Sequence, residues 1–441
     1  MSMVRTSVWG VWLGISLLAS FAADARCQLP PLDAETKAKA VDSLAVALEQ
    51  HYVFPDMGKK MADKIRKQLR SGKYDQTDLM TFTTALSSDL QSVSHDLHLA
   101  VRPLPPDELR AIEQHVDPAE MRRRYEEDMR EDNYAFRKVE RMEGNVGYLR
   151  FDQFVGAELA GPTAVAALNF LAGCDALIID LRQNGGGSPS LIQLITSYFL
   201  PHPTHLNSFY VREGDQTDQY WTSAWVPGPR MTDVDLYVLT SSYTFSGAEE
   251  FSYNLRNLDR ATLIGERTGG GAHPVDRYAY PSLGIFAMIP FGRAINPITG
   301  TNWEGVGVEP HIEVPADQAL DVAYTKALTT LLAEHPDGRS APEWQWVLDG
   351  LDSSDVPMLE PATLEAYAGS YGDRTVSVEN GALFYQRAGR PRLRMIPLRD
   401  HWFRFEETPL FRLEVVVDAN GNPVKLRGHY RDGRVDESPR G

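Results

Sequence analysis

The spacing of apolar residues predicts a helical region at the start of the chain. Val41, Leu44 and Leu48 recur at intervals of three and four residues, which places them on one face of an amphipathic helix. We therefore predict a helical N-terminal cap over residues 30–102. Residues 103–145 are highly charged and predict a helix or arm that connects the cap to the next domain.

Continuous apolar runs then predict the strands of an α/β core. Val146–Phe151, Ala176–Asp180 and Asp235–Leu239 are runs of this kind, which are typical of parallel strands that are buried on both faces. A helical pattern begins at Gly247, soon after the third run. These elements predict an α/β core over residues 146–335.

The pattern changes again near the C-terminus. Residues 336–357 are rich in Pro, Gly, Asp and Ser and predict a linker. Residues 358–441 alternate between apolar and polar positions, with turn signals at Asn380-Gly381 and Asn420-Gly421. Such alternation predicts a small antiparallel β-domain.

The first residues have the pattern of an export signal. An early arginine precedes the apolar run Val8–Ala22, and Ala23-Asp24-Ala25 has the small residues of a cleavage site. We predict a secretory signal peptide over residues 1–25 and a periplasmic or extracellular location. No other stretch approaches the roughly 18 apolar residues of a membrane span, so no integral membrane span is expected.

Composition restricts the partners of this chain. The 441 residues are 43% hydrophobic and carry a formal net charge of −16. This charge disfavours nucleic acid and anionic membranes as partners. The two cysteines are too few for a disulfide framework in a chain of this length.

Ser246 is the leading candidate for chemistry. It lies where a predicted strand passes through a turn into a predicted helix. A serine at such a junction has an exposed hydroxyl beside the free N–H groups of the helix, which can stabilise an oxyanion. The alternative is an ordinary helix N-cap, which is the commoner role of serine in this position.

A glycine run follows the strand Ala176–Asp180. Gly185, Gly186 and Gly187 allow a positive φ or a close approach of backbone N–H groups to a ligand. The chain lacks the lysine and spacing of a phosphate-binding loop at this position. The run therefore predicts either an oxyanion hole or a plain tight turn.

Four ordered motifs resemble the tail-specific, or C-terminal-processing, serine peptidases. They are DLRQNGGG at 180–187, LTSSYTFSGAEEF at 239–251, GERTGGGAHP at 265–274 and WEGVGVEP at 303–310. The chain is most similar to the branch of the tricorn core protease and the interphotoreceptor retinoid-binding protein repeats. The resemblance covers about residues 30–335. It implies an α/β fold in which a helical cap precedes a spiral, crotonase-like core, with the active site between them.

The resemblance also implies which base the serine uses. The C-terminal-processing branch has a lysine in a G-K-G that aligns with residues 270–272, where this chain has Gly-Gly-Ala. The tricorn-like branch instead uses a histidine from the N-terminal region and a glutamate after the sheet. His98 matches that histidine best and His95 is the possible alternative base, while Glu304 matches the glutamate.

The predicted reaction is acyl transfer without a cofactor. Ser246 attacks a peptide carbonyl, His98 accepts and returns the proton, and Glu304 orients or stabilises the charged network. The N–H groups of Gly247 and Gly186 form the expected oxyanion hole. Without the resemblance, His95 and His98 would be read as surface or structural histidines. Their H-x-x-H spacing offers no recognisable third ligand, so no metal is expected.

The rival function is a binding protein of the same fold. The retinoid-binding branch implies that this fold can bind a hydrophobic ligand or peptide without catalysis. The presence of Ser246, His98 and Glu304 favours a peptidase acting on peptides or unfolded proteins. No PDZ pattern lies between Leu99 and Val146, so recognition of a free C-terminus is not implied. The β-domain resembles the lipocalin-like domains that are appended to secreted serine hydrolases.

Overall fold

A computed structural model describes residues 4–6, 32–75, 77–351 and 359–441. Apart from residues 4–6, the predicted signal peptide lies outside the described residues. The chain divides into two compact units between Ala323 and Tyr324. In the described part of the chain, no helix is both long and apolar enough to cross a membrane.

The N-terminal cap is helical, as its apolar spacing predicts. Its helices are α1 (Ala34–His51), α2 (Pro55–Arg70) and α3 (Leu79–Ser94). Asp33 and Asp78 begin α1 and α3, and each carboxylate accepts a hydrogen bond from a first-turn N–H, which satisfies a donor that the helix leaves free. Val41, Leu44 and Leu48 are fully buried in the core of the cap.

The first unit contains further helices and several strands besides the helices of the cap. The strands are β1 (Val4–Thr6), β2 (Ala100–Pro103), β3 (Phe136–Met142), β4 (Val146–Phe151), β5 (Ala176–Asp180), β6 (His205–Val211), β7 (Gln216–Trp221), β8 (Asp235–Thr240), β9 (Thr262–Gly265), β10 (Val275–Tyr280), β11 (Ile285–Pro290), β12 (Gly292–Ile295) and β13 (Ile312–Glu313). The helices are α4 (Pro106–Glu113), α5 (Pro118–Glu131), α6 (Ala157–Leu171), α7 (Pro189–Ser197) and α8 (Gly247–Asn257). Helix α9 (Ala319–Glu334) runs across the division between the units.

A six-stranded sheet forms the centre of this unit, in the order β13-β9-β8-β5-β4-β3. In this sheet the neighbouring strands β4, β5, β8, β9 and β13 are all parallel to one another. The edge strand β3 is antiparallel to its neighbour β4. The predicted strand Ala176–Asp180 lies in the middle and is buried at every position. The α/β class is therefore confirmed.

The topology brings two loops together. Strands β5 and β8 are parallel neighbours, with Asp180 opposite Leu239. The glycine run and the turn to Ser246 therefore leave the same edge of the sheet, where open parallel sheets bind ligands. The cap joins the same unit through β2, which pairs with β11 in the sheet β1-β10-β11-β2.

The second unit contains two antiparallel sheets, as the alternating pattern predicts. They comprise β14 (Gly369–Tyr371), β15 (Arg374–Glu379), β16 (Ala382–Arg387) and β17 (Arg392–Arg394), and β18 (Ile396–Arg399), β19 (Trp402–Arg404), β20 (Phe411–Val417), β21 (Pro423–Tyr430) and β22 (Val435–Pro439). Two helices, α10 (Ala341–Leu351) and α11 (Pro361–Tyr367), precede them.

Helix α10 differs from the expectation for residues 336–357. The Pro, Gly and Asp content of that segment predicts a linker, yet Ala341–Leu351 is helical. Trp344 and Val347 are three residues apart and both are buried, so one apolar face stabilises the helix despite the flanking turn residues. The compact units also divide earlier than the predicted boundary at residue 335.

Candidate active site

Ser246 lies in a strained turn between β8 and α8. Its backbone has φ 53° and ψ −119°, a combination that is sparsely populated by residues with a side chain. Phe245 precedes it, and the Phe245 N–H donates to the Asn184 carbonyl at 3.2 Å. The Thr244 hydroxyl donates to the Leu181 carbonyl at 2.9 Å. The turn is thus bonded to the loop that follows β5.

The glycine loop packs directly against this turn. Gly186 has φ 105° and Gly187 has φ 142°. A Cβ on Gly186 would lie 2.7 Å from the Gly247 nitrogen, so only glycine permits this approach. The Gly186 N–H donates to Asn184 Oδ1 at 2.9 Å. Within the described chain, the N–H groups of Gly187 and Gly247 have no hydrogen-bond partner.

Glu249 holds the serine turn in place. This buried carboxylate accepts hydrogen bonds from the Ser246 N–H at 2.8 Å, the Gly271 N–H at 2.8 Å, the Gly270 N–H at 2.7 Å and the Thr268 hydroxyl at 2.5 Å. Burial raises the pKa of Glu249 to about 7, although each of these donors favours the ionised form. One side chain therefore fixes both the strained serine and the loop of the third motif.

His98 faces the serine turn from the cap. The backbone N–H of His98 donates to Asp96 Oδ1 at 3.0 Å, which fixes the loop that follows α3. Its ring packs against the ring of Phe245 with 4.6 Å between centroids. Burial lowers the pKa of the His98 imidazole to about 4, although the charge of Asp96 acts to raise it. His98 is therefore neutral at neutral pH, as a base must be.

The other histidine of this motif is placed differently. His95 caps the C-terminus of α3 with φ 57°, and its side chain is exposed. Such a position is typical of a helix-ending residue in the left-handed region. His98, in contrast, belongs to a cluster with Asp96 and Glu304 in which one side-chain N or O atom from each residue lies within 4.8 Å of the other two.

Glu304 approaches this cluster from the fourth motif. Its Oε2 accepts the Ala272 N–H at 2.6 Å. Its Oε1 and the Nδ1 of His98 are both buried and have no hydrogen-bond partner among the described residues. Burial raises the pKa of Glu304 to about 7, and the charge of Asp96 acts in the same direction.

Sequence reasoning missed three groups that organise this site, namely Asp96, Glu249 and His273. Asp96 and His273 lie inside the quoted motifs, and Glu249 stands three residues after Ser246, where a capping-box carboxylate is expected. His273 is 6% exposed, and its Nδ1 lies 2.7 Å from Asp96 Oδ2. Their positions in the motifs mark them as candidates, but no sequence pattern identifies the residues that they contact.

Within this cluster, Asp96 is held by several hydrogen bonds. Three nearby His, Asp and Glu side chains can suit a cation in general. Here, however, both oxygens of Asp96 already accept hydrogen bonds. Oδ1 accepts from the backbone N–H of His98, and Oδ2 accepts from the Tyr52 hydroxyl and from Nδ1 of His273. Taken together, the arrangement has a half-buried Ser246 turn, a neutral His98 and the carboxylates of Asp96 and Glu304.

Comparisons with known proteins agree with this description. The model of peptidase family S41 matches residues 145–314, and that of the N-terminal domain of Peptidase_S41 in eukaryotic IRBP matches residues 34–139. A carboxyl-terminal-processing protease of Synechocystis sp. is 34% identical over 128 residues, which are 29% of this chain and 28% of that protein. One of Picosynechococcus sp. is 31% identical over 141 residues, 31% of this chain and 32% of that protein.

The chain spans about a third of the length of these curated relatives. Among solved structures, the tricorn protease is similar with a TM-score of 0.42 and 14% identity, covering 68% of this chain and 37% of that one. The two family models cover the cap and the α/β core, including every residue of the cluster. This chain belongs to the S41 family of peptidases.

Proposed function

We propose that this protein is a serine peptidase that hydrolyses peptide bonds through an acyl-enzyme at Ser246. The observation that carries the proposal is the strained Ser246 turn at the N-terminus of α8, with the His98 ring packed on the neighbouring Phe245. A turn of this kind presents a serine hydroxyl above a sheet edge. Family membership supports the same chemistry.

In this mechanism His98 removes the Ser246 proton as the hydroxyl attacks the peptide carbonyl, and the proton then passes to the leaving amine. Glu304 stabilises the imidazolium that forms, because its free Oε1 and the free His98 Nδ1 belong to one cluster. Water then attacks the acyl-enzyme by the same route, and the carboxylate product leaves.

We propose that the oxyanion is bound by the N–H groups of Gly247 and Gly186. The Gly247 N–H is free for this role within the described chain. The Gly186 N–H already donates to Asn184 Oδ1, so it would share its hydrogen between that oxygen and the oxyanion. The adjacent Gly187 N–H has no such partner among the described residues and offers an additional donor. Each oxyanion donor contributes about 100- to 1000-fold in rate.

The substrate and location are further parts of the proposal. The relatives are named as carboxyl-terminal-processing proteases, which supports a peptide or unfolded protein as the substrate. The segment between β2 and β3 holds helices α4 and α5, so we do not extend the proposal to recognition of a free C-terminus. The export signal predicted over residues 1–25 supports action in the cell envelope.

A fluorophosphonate probe and a casein or short-peptide assay test the mechanism. Ser246→Ala should abolish labelling and lower kcat by at least about 1000-fold, and His98→Ala should cost nearly as much, because residues that act as a unit are non-additive. Glu304→Gln should lower kcat by a smaller factor, because His98 remains as the base. His95→Ala is the matched control from the same loop and should retain activity. Hydrolysis that survives in Ser246→Ala would overturn the proposal.

The binding protein of the same fold is the second candidate. It keeps the fold but needs no reactive nucleophile. A purified protein that binds peptide but neither hydrolyses it nor reacts with the probe would support this alternative.

A further inference from the structure

The structure contains a second buried histidine beside the proposed catalytic one. His273 is the second-last residue of the third motif, two residues before β10 begins, and it is 6% exposed. Its Nδ1 lies 2.7 Å from Asp96 Oδ2 and 3.6 Å from Glu304 Oε2. The imidazole therefore lies between two carboxylates that come from different parts of the chain.

The groups around His273 define its charge. The carboxylates of Asp96 and Glu304 favour a positive imidazole, whereas Arg293 on β12 and burial oppose it. The ring of Phe54 packs edge-on against the imidazole at 5.7 Å between centroids. The hydroxyl of Tyr52 binds Asp96 rather than His273.

The balance of these effects favours the charged form. Burial lowers the pKa of His273, but the hydrogen bond and charge of Asp96 together with the charge of Glu304 raise it, and the net shift is upward. In turn, burial acts to raise the pKa of Asp96, but the contacts with His273 and His98 lower it, and the net shift is downward. With a neutral His273, two buried carboxylates would face each other without a counter-charge, which is strongly unfavourable.

We propose that His273 is a positioning residue that stays protonated through the neutral pH range and holds Asp96 and Glu304 as carboxylates beside His98. This inference rests on the proposed function for its catalytic consequence. With His273 positive, Asp96 and Glu304 negative and His98 neutral, these four side chains carry a net charge of −1 at rest. They become neutral when His98 accepts the proton of Ser246, so the buried cluster is electrically most favourable while the oxyanion exists.

The conservative substitution is His273→Asn. The side-chain amide of asparagine can place an N–H near the position of Nδ1 but carries no charge. His273→Ala removes the donor as well. The pair therefore separates the charge of His273 from its hydrogen bond.

The first test is independent of activity. Histidine labelled with ¹³C at Cε1 is titrated by NMR in the Ser246→Ala variant, and the His273 signal is identified by its loss on His273→Asn. We expect this signal to titrate above the ordinary histidine pKa of about 6.5. Glu304→Gln should lower its midpoint measurably. A midpoint at or below the ordinary value, or one that Glu304→Gln leaves unchanged, overturns the proposal.

The second test is the pH profile of kcat/KM. His273→Asn should move the acidic limb upward by about one pH unit or more, because loss of a nearby positive charge makes Glu304 harder to ionise. Activity should recover at higher pH with KM nearly unchanged, whereas His273→Ala should not recover. An acidic limb that stays in place in His273→Asn overturns the proposal.

The two tests also separate this inference from the proposed function. If the wild type and Ser246→Ala prove equally inactive, the peptidase proposal fails, and the NMR titration still decides the charge of His273. Should both His273 variants fail to fold, the His273 signal is assigned instead by its through-space contact with the Phe54 ring, and the effects of Glu304→Gln and Asp96→Asn on its titration provide the same decision.

Discussion

Replacing Ser246 by glycine should make the protein more stable while removing its activity. The serine has φ 53° and ψ −119°, and backbone strain of this kind costs about 1–3 kcal/mol for a residue with a side chain. Glycine adopts the same angles freely but loses about 0.5–1 kcal/mol more in backbone entropy on folding. The midpoints of the two ranges predict a net stabilisation of about 1.3 kcal/mol, and their extremes bound it between about 0 and 2.5 kcal/mol.

The matched control is Ser246→Ala. Alanine keeps the Cβ, and therefore the strain, but lacks the hydroxyl. Both variants keep the Ser246 backbone N–H that Glu249 accepts at 2.8 Å. The comparison between glycine and alanine thus isolates the backbone term from the loss of the nucleophile.

Urea unfolding followed by tryptophan fluorescence provides the measurement, since Trp303 of the first unit is 2% exposed. With a denaturant dependence of about 3 kcal/mol per molar urea, the midpoint of Ser246→Gly should exceed that of Ser246→Ala by about 0.4 M. Neither variant should react with the fluorophosphonate probe. A glycine variant no more stable than the alanine variant would show that the turn is unstrained, and the structural argument for the nucleophile would be lost.

Three further outcomes can be measured. Gly187→Ala should lower the free energy of unfolding by about 2–4 kcal/mol, because its Cβ would lie 2.1 Å from the Phe154 carbonyl oxygen. The control is Gly185→Ala, whose Cβ would meet nothing closer than 3.9 Å. It should change the free energy of unfolding by less than about 0.5 kcal/mol. The kcat/KM should rise with pH around 7, since the pKa of Glu304 is raised to about 7 and its ionised form supports catalysis; a limb that persists in Glu304→Gln would contradict this. A chain that ends at Glu334 should still cleave short peptides, because every residue of the proposed site precedes that point, and failure of this shorter chain to fold or cleave would count against an independent catalytic unit.

Local patterns in the sequence were sufficient for the elements and for the position of the candidate serine. Ala176–Asp180 is a strand and α8 begins at Gly247, as predicted, because a buried strand and an amphipathic helix each have their own period. The same local logic failed at Ala341–Leu351, where turn-forming neighbours concealed a short helix with a buried face.

Only the tertiary structure decided which side chains meet. Asp96 and His273 are 177 residues apart in sequence and 2.7 Å apart in space. No sequence period encodes that contact, because it depends on how the cap packs on the core through the pairing of β2 with β11. The charges of His273, His98 and Glu304 likewise depend on burial and on each other. The sequence determined which residue types were available for chemistry, and packing determined their protonation, because desolvation and nearby charge exist only once the chain has folded.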